Sequence, residues 1–515
     1  MKKDVILRLI CCVLTLGMIV GGLFTLSSCN KGKEDVGGST ESVDLDSNSA
    51  DPDSEEARYR PENINYGDFE YKWLVRENEK GQALYAYLDD GTPTQVCDYA
   101  LYCRQAVMEE RHGVTTLLLN EGSAAPNKLM EACLTGQTDY CHGASLGARN
   151  WASLAAQGCL LDLNDLDELN LEASYWDQRI QKEFNINGHL FALEGEFNYL
   201  DDLQTYVVLY NDTVWERLGL DVKYNTPYQL AKDGKWTYEM MMSMIKDTSY
   251  ELKSDDVMDQ HDFWGFVSEK GVPYYFFLGS GNKYIVNKEG SVEFAAADST
   301  VWQTNYDILS ELIKMGVNSD IYIANRDYSG DYTGTDAHWQ AASDIFFNNH
   351  ALFRSTALGD TLKLLDMEDD YGILPIPNYT ENQGEYYCWC LGNNFSIPSC
   401  VSDSGQAAQI IEMINYYSLY LGGDSLNYAF YDLLAFARLC RTPDDVNMLK
   451  LVFANKTYDV DYAVKFANVQ DIVAEMVQKN EYTALYSSLA SLKESADTII
   501  KDFVIKVESN LPKAR

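Results

Sequence analysis

The sequence predicts an α/β protein with a helical C-terminal part, and three observations lead to that prediction. Short apolar strands alternate with helices between Tyr71 and Cys141, in an order that favours a parallel sheet with right-handed crossovers. A second block of strand and helix begins at Thr205, and helical periodicity dominates the final third. The length of 515 residues leaves room for one large two-part protein or for two or three ordinary domains.

The composition excludes several classes of partner. A formal net charge of −38 at pH 7 opposes electrostatic binding to nucleic acid or to an anionic membrane surface. A solvated acidic surface suits a protein that stays soluble outside the cell. The metalloprotease pattern HExxH, the P-loop and the dinucleotide glycine pattern do not occur, so we expect no metal, no nucleotide and no other cofactor.

The N-terminal segment has the pattern of an export signal. Basic residues in the first eight positions precede an apolar run from Leu9 to Leu26. The sequence Leu26-Ser27-Ser28-Cys29 follows and resembles the lipobox of bacterial lipoproteins, whose cysteine thiol carries two acyl chains. We therefore expect residues 1–28 to be a signal peptide and Cys29 to be lipidated. The body would then be held at the extracellular face of the cell membrane through the lipid anchor only, with an uncleaved membrane helix as the alternative.

A polar spacer is predicted after the lipobox. From Asn30 to about Glu62 the chain is rich in Gly, Ser, Asp and Glu and nearly devoid of large apolar residues. Such a segment cannot bury enough surface to fold, so we expect 29–64 to be a disordered acidic linker behind the lipidated cysteine.

Nine cysteines remain in the body of the chain after the leader and Cys29 are set aside. An odd number cannot pair completely, and none of the nine shows CxxC spacing. Buried free thiols are the favoured interpretation, with a disulfide framework or a metal site as the alternative.

The first strand–helix block is assigned from apolar spacing. Strands are predicted at Tyr71–Val75, Val114–Leu119 and Asp139–Cys141. Apolar residues recur at helical spacing from Val96 to Val107, and a second helix runs over Pro126–Leu134 with a glycine just beyond its end.

The block at Thr205–Ile245 begins with a buried strand, Tyr206–Tyr210. Asn211-Asp212 opens a short helix that stops at Gly219. After a loop rich in turn residues, Thr237 is placed to cap an amphipathic helix that begins at Tyr238.

This order resembles the crossover segment of extracellular solute-binding proteins of family 1, the carbohydrate-type lipoproteins that feed ABC importers. Three other segments resemble the same family: Leu154–Leu163 (LAAQGCLLDL), Tyr175-Trp176-Asp177 and Asp370–Pro377 (DYGILPIP). Asn187-Gly188 supplies the positive-φ turn of a hairpin just before the crossover. The resemblance covers essentially the whole chain after the spacer.

The resemblance implies a two-lobed, periplasmic-binding-protein-like fold of type II with a hinge. We expect lobe I at 65–206 plus 352–421 and lobe II at 207–351 plus 422–515. The implied function is capture of a small solute, a sugar or oligosaccharide, by hinge closure and its delivery to an ABC permease. The implied protein is a monomer and not an enzyme.

Later elements follow the same scheme. Trp264–Val267 is predicted as a strand of the second lobe, Pro273–Phe277 as the start of a helix and Val301–Met315 as an amphipathic helix. Ala351–Arg354 is predicted as the strand that returns to the first lobe. In the last helix one apolar face should pack on the second lobe: Leu485, Leu489, Leu492, Ala496, Ile499 and Phe503.

Ligands of open α/β sheets bind beyond the carboxyl ends of the strands, and a sugar needs polar partners together with aromatic faces. Trp389 is the first aromatic candidate, whereas Trp176 and Trp236 are assigned to packing. Arg354 is expected to form an interlobe ion pair or to clamp a carboxylated sugar. The candidate ligand-binding residues are Glu77, His142, Ser145, Tyr199, Asp202, Gln204, Tyr274, Arg354 and Trp389.

Two alternatives compete with solute binding. Gly143-Ala144-Ser145-Leu146-Gly147 matches GxSxG, the nucleophile elbow of α/β hydrolases, which would make Ser145 the nucleophile of a secreted serine esterase. The predicted strand before this motif is short and polar, unlike the buried central strand that a nucleophile elbow requires. The other alternative is a binding fold used as a sensor partner or a surface scaffold.

Overall fold

The computed structural model describes residues 61, 64–76, 95–328, 330, 333, 337–392 and 394–512. The predicted signal peptide, Cys29 and nearly all of the linker lie outside these residues. Over the described ranges, no helix combines the length and apolarity that crossing a membrane requires.

The first sheet has the predicted parallel core. Phe69–Val75 pairs in parallel with Val114–Asn120 on one side and with Gly143–Ser145 on the other. Phe395–Ser396 adds an antiparallel edge beside Gly143–Ser145. Two helices connect the parallel strands, Gln95–His112 and Ala125–Thr135.

The third strand of this sheet was predicted wrongly at Asp139–Cys141, and it lies four residues further along, at Gly143–Ser145. Asp139 adopts a left-handed conformation with φ of 54°. Its carboxylate accepts hydrogen bonds from the backbone and hydroxyl of Ser402. The residues before Gly143 are therefore held as a turn and cannot be extended.

The second sheet contains five strands in the order Tyr371–Leu374, Tyr206–Asn211, Ala351–Ala357, Trp264–Ser268 and Ile321–Ile323. The predicted crossover strand, Tyr206–Asn211, is antiparallel to both of its neighbours. The remaining pairs are parallel. This mixed sheet, together with the first, confirms the α/β class.

We expected residues 352–421 to belong to the first lobe as one stretch, but the chain follows a different path. Ala351–Ala357 and Tyr371–Leu374 both pair with the crossover strand in the second sheet. The chain rejoins the first sheet only at Phe395–Ser396. The two antiparallel partners give the crossover strand hydrogen bonds on both edges, which sequence periodicity cannot assign. The lobe boundaries themselves stay a prediction.

Side-chain caps define the helices of the crossover block. The Asn211 side chain accepts from the backbone N–H of Val214, and the Thr237 hydroxyl accepts from that of Met240. The helices from the crossover to the returning strand are Asp212–Arg217, Leu220–Tyr224, Pro227–Lys232, Tyr238–Ile245, Val272–Gly279, Ser299–Val317, Ala324–Asp327 and Ala337–Phe347.

The final part of the described chain is helical, as predicted. Its helices include Ser404–Tyr420, Ala429–Leu439, Pro443–Ala454, Val460–Val464, Val469–Lys479 and Leu485–Asn510. The last helix contacts Ser299–Val317, in the half of the protein built around the second sheet, and also Trp151–Ala156, in the half built around the first. Its buried face contains Ile500, while Ile499 is 47% exposed, so the predicted face was wrong at that position because the helix lies against two surfaces.

Candidate functional site

A short parallel strand pair lies at the junction of the two halves. Cys388 is in register with Lys456, and Trp389 is in register with Thr457. Just beyond the pair, Cys390 bridges to Thr205 at the start of the crossover. Successive side chains of a strand point to opposite faces, so Trp389 and Lys456 extend to opposite sides of this pair. Each lies at the centre of a cluster.

The aromatic cluster surrounds the Trp389 indole with four tyrosines: Tyr206, Tyr274, Tyr275 and Tyr462. Tyr206 stacks on the indole at a centroid distance of 4.8 Å, and Tyr275 lies nearly parallel to it at 6.4 Å. Tyr274 and Tyr462 meet it edge-on, each at 5.1 Å. These rings come from the crossover strand, a second-half helix and the C-terminal part.

Hydrogen bonds hold the tyrosines in place. The Tyr275 hydroxyl lies 2.7 Å from both Ser268 Oγ and Ser355 Oγ, which are 2.6 Å apart. The Tyr274 hydroxyl donates to an oxygen of Asp459. Hydrogen bonds to buried groups therefore fix the positions of these two rings.

One edge of the cluster remains open to solvent. Tyr206, Tyr462 and Glu269 are half-buried. The Tyr206 hydroxyl donates to Glu269 Oε1 at 3.0 Å. The guanidinium carbon of Arg149 lies 3.9 Å from the centre of the Tyr462 ring, a cation–π contact. This edge combines aromatic faces, a carboxylate and a guanidinium, the groups that bind the C–H faces and hydroxyls of a polar ring.

Burial raises the pKa of Glu269 to about 7, with Asp360 adding to the effect and the Tyr206 hydrogen bond and Arg354 opposing it. Burial likewise raises the pKa of Asp459 to about 7, and the neighbouring Asp461 adds to that shift. Two carboxyl groups in contact with the aromatic cluster therefore hold their protons more tightly than free carboxylates.

The ionic cluster lies on the other side of the strand pair and is buried. Lys456 Nζ lies 2.7 Å from Asp201 Oδ2, 3.0 Å from Asp202 Oδ1 and 3.6 Å from Asp177 Oδ2. The Tyr458 hydroxyl donates to Asp177 Oδ2, the same oxygen that faces Lys456, at 2.9 Å. The Tyr431 hydroxyl donates to the other oxygen of Asp202, Oδ2, at 2.8 Å. Although burial lowers the pKa of Lys456, the surrounding aspartates raise it well above its ordinary value.

Three candidate residues predicted from the sequence lie in or beside the aromatic cluster. Trp389 and Tyr274 belong to it, but both are almost fully buried. Arg354 Nη2 pairs with Asp360 Oδ2 at 2.6 Å, and its charge is close enough to Glu269 to influence the pKa of both groups. This pair joins two residues that are six positions apart in the chain, so the interlobe ion pair and the sugar clamp expected of Arg354 both stay predictions.

Other candidates lie elsewhere. Asp202 belongs to the ionic cluster, and Tyr199 stacks on Phe430 with a centroid distance of 5.4 Å. Gln204 is beside the junction, where its carbonyl accepts from the Leu391 N–H at 3.2 Å. Glu77 lies outside the described residues.

Ser145 lies in the third strand of the first sheet, and His142 directly precedes that strand. Ser145 is fully buried, and its Oγ accepts a hydrogen bond of 3.1 Å from Trp73 Nε1. His142 Nδ1 accepts from the Lys72 backbone N–H at 2.9 Å. Gly143–Ser145 is itself a strand and not a turn after a strand, so the nucleophile-elbow interpretation is wrong.

Sequence reasoning missed several members of the open edge. Glu269 directly follows the strand Trp264–Ser268, so the carboxyl-end rule would have found it had the rule been applied to that strand. Tyr206 was assigned only to a strand. Tyr462 and Arg149 carry no local signal, because they meet only when distant segments pack together.

No family model matches the sequence, and no curated protein matches it. Solved structures do match over nearly their whole length. The ABC substrate-binding protein Lmo0181 from Listeria monocytogenes, in complex with cycloalternan, has a TM-score of 0.50 at 14% identity and covers 84% of this chain and 98% of that chain. A cyclo/maltodextrin-binding protein complexed with maltotetraose has a TM-score of 0.51 at 12% identity, and the match covers 85% of this chain and 96% of that chain.

The apo form of RafE from Streptococcus pneumoniae has a TM-score of 0.52 at 11% identity, covering 85% of this chain and 99% of that chain. At such low identities the likeness establishes the fold. The described chain has the two-lobed fold of ABC substrate-binding proteins, and the fold predicted from the sequence resemblance is confirmed.

Proposed function

We propose that this chain is an extracellular solute-binding protein that captures a sugar or oligosaccharide without changing it chemically. The aromatic cluster with its open polar edge is the observation that carries the proposal. Tyr206 and Tyr462 offer ring faces at the junction of the two halves, beside the hydrogen-bonding groups of Glu269 and Arg149. Sugars present C–H faces to aromatic rings and hydroxyls to carboxylates and guanidinium groups.

The proposed mechanism is hinge closure. The chain crosses from the first sheet to the second before Tyr206 and returns between Leu374 and Phe395. A solute that contacts both halves stabilises the closed arrangement, and only that difference in affinity shifts the equilibrium. We further propose that Cys29 carries a lipid anchor and that the monomer delivers its solute to an ABC permease.

Thermal-shift measurements on the secreted protein test this function. Malto-oligosaccharides, cyclodextrins and other glycans are added in turn, and a glycan at 100 times its Kd should stabilise the native state by about 2.7 kcal/mol. Tyr462→Ala and Glu269→Gln should each lose most of the shift, whereas Tyr486→Ala, which changes an exposed ring, should keep it. A complete glycan panel without any shift, or release of hydrolysed sugar, would contradict the proposal.

The sensor or scaffold alternative shares the solute site and differs in partner. Genes for permease subunits beside the coding gene support transport, whereas an adjacent sensor-kinase gene supports sensing. Labelling of Ser145 by a fluorophosphonate probe would contradict the binding function and restore the esterase alternative.

A further inference from the structure

Four of the nine body cysteines are neighbours of one another although they come from separate segments of the chain: Cys133, Cys141, Cys159 and Cys400. Cys133 is on the helix Ala125–Thr135, and its Sγ donates to the carbonyl oxygen of Cys159 at 3.4 Å. The same carbonyl accepts from the Ser399 N–H at 2.9 Å, which brings the segment before Cys400 alongside. These four residues form the thiol cluster.

Cys133 is the common member of this cluster. Both Cys159 and Cys400 lower the pKa of Cys133 through their thiols, and the two hydrogen bonds to the Cys159 carbonyl place both segments beside it. Cys141 is close to both Cys133 and Cys400. Over the described residues, no group of three or more His, Cys, Asp or Glu side chains is arranged to hold a metal ion.

The cluster has one accessible thiol and several buried ones. Cys133 is half-buried, whereas Cys141, Cys159 and Cys400 are buried. Hydrogen bonds from Cys159 and Cys400 lower the pKa of Cys133. Burial raises the pKa of Cys440, a half-buried cysteine with no thiol among the groups that shift its pKa. The thiolate is the nucleophile in disulfide exchange, so Cys133 is the more reactive of these two accessible thiols.

We propose that Cys133 is a redox site that forms an intramolecular disulfide with either Cys159 or Cys400 on reaction with a small-molecule disulfide. The Cys133 thiolate attacks one sulfur of the oxidant and releases the first thiolate. Cys159 or Cys400 then attacks Cys133 Sγ and releases the second. Two protein thiols are oxidised, the oxidant is reduced to two thiols, and the two protons go to the released thiolates.

The bond ties two parts of the first half of the protein together. Formation requires the two sulfurs to close to about 2.05 Å, which a change of side-chain rotamer must supply. The disulfide then links the helix Ala125–Thr135 to the adjoining segments at Cys159 or Cys400. Since Cys133 can bond only one partner at a time, the other remains a thiol. The two bonds exclude each other.

Oxidised glutathione added to the full chain tests the proposal. After blocking of free thiols and proteolysis without reductant, we expect peptides linked 133–159, 133–400 or a mixture of both. Cys133→Ser should abolish both, while Cys440→Ser should change neither. Cys159→Ser should direct all linkage to Cys400, and Cys400→Ser should direct it to Cys159, so a folding defect in one variant does not remove the test.

The double variant Cys159→Ser, Cys400→Ser should stop at a glutathione adduct on Cys133, formed at least about tenfold faster than any adduct on Cys440. Disulfides that omit Cys133 would overturn the proposal. So would a wild-type protein that carries only the glutathione adduct, or one in which Cys440 reacts first.

Discussion

The aromatic cluster and the ionic cluster share one strand pair but use it in opposite ways. On one side, Lys456 is enclosed by three aspartates, two of which also accept from tyrosine hydroxyls, and the group is buried. On the other side, Trp389 is enclosed by tyrosines, but Tyr206 and Tyr462 remain half-buried beside Glu269.

The difference shows that residue type does not separate a fully buried cluster from a partly exposed one, which is the cluster we propose to bind solute. Both clusters combine tyrosines and carboxylates with cationic side chains. In the ionic cluster each group has a partner inside the protein, so it stabilises the junction in one arrangement. The aromatic cluster leaves ring faces and polar atoms at an edge where a solute can reach them.

The largest effect is expected from Lys456→Met. The change leaves Asp177, Asp201 and Asp202 buried without their cation, and loss of one partner from a buried ion group costs about 3–5 kcal/mol. Urea denaturation should show this loss at pH 7. Lys493→Met removes an exposed i,i+4 pair, 3.2 Å from Asp497, and should cost less than about 0.5 kcal/mol. Equal losses would remove the distinction between buried and exposed pairs.

Trp389→Ala should damage the opposite side of the strand pair. Removal of a buried indole costs about 3 kcal/mol and leaves four tyrosines without their central ring. Glycan affinity, measured by calorimetry on the folded variant, should fall at least about tenfold because Tyr206 and Tyr462 lose their support. Unchanged affinity for a glycan that the unmodified protein binds would show that the cluster is only structural.

Glu196 should make stability depend on pH near the ionic cluster. Burial raises its pKa to about 8, and the charges of Asp202 and Asp201 raise it further while Asn427 and Lys456 lower it. The folded state keeps this proton where the unfolded chain, with an ordinary value of 4.5, has released it. The stabilisation of the folded state by protonated Glu196 is therefore fully present below about pH 4.5 and is lost as the pH rises through about 8.

Glu196→Gln removes that linkage. The stability of the unmodified protein relative to the variant should fall by about 1–3 kcal/mol between pH 5 and pH 8, as measured by urea denaturation at each pH. Glu481→Gln, at an exposed carboxylate, is the control and should show no such fall. Parallel pH profiles for unmodified protein and Glu196→Gln would contradict the assignment.

Among the changes made within or beside the two clusters, Tyr206→Phe should have the smallest effect on stability. It keeps the ring that stacks on Trp389 and removes the hydroxyl that donates to Glu269, at a cost of about 1 kcal/mol. Since Glu269 then lacks this donor, its pKa should rise, and NMR titration of that carboxyl can measure the change. A lower pKa would mean that the hydroxyl does not stabilise the carboxylate.

Local patterns in the sequence determined many of the elements. The cap residues Asn211 and Thr237 mark helix starts that the structure has, and Asn187-Gly188 forms the predicted turn with positive φ at both positions. These signals depend on neighbours a few residues apart, so a single stretch of chain contains them. The crossover strand at Tyr206 was visible for the same reason.

Only the tertiary structure decided which distant residues meet. It placed Tyr371–Leu374 beside the crossover strand, brought Tyr462 to Trp389 and gathered Cys133, Cys159 and Cys400. Each of these contacts depends on how whole sheets and helices pack, and no spacing within a short segment encodes it. The sequence by itself determined the α/β elements and the family they resemble, whereas the packing of remote segments decided where the site lies.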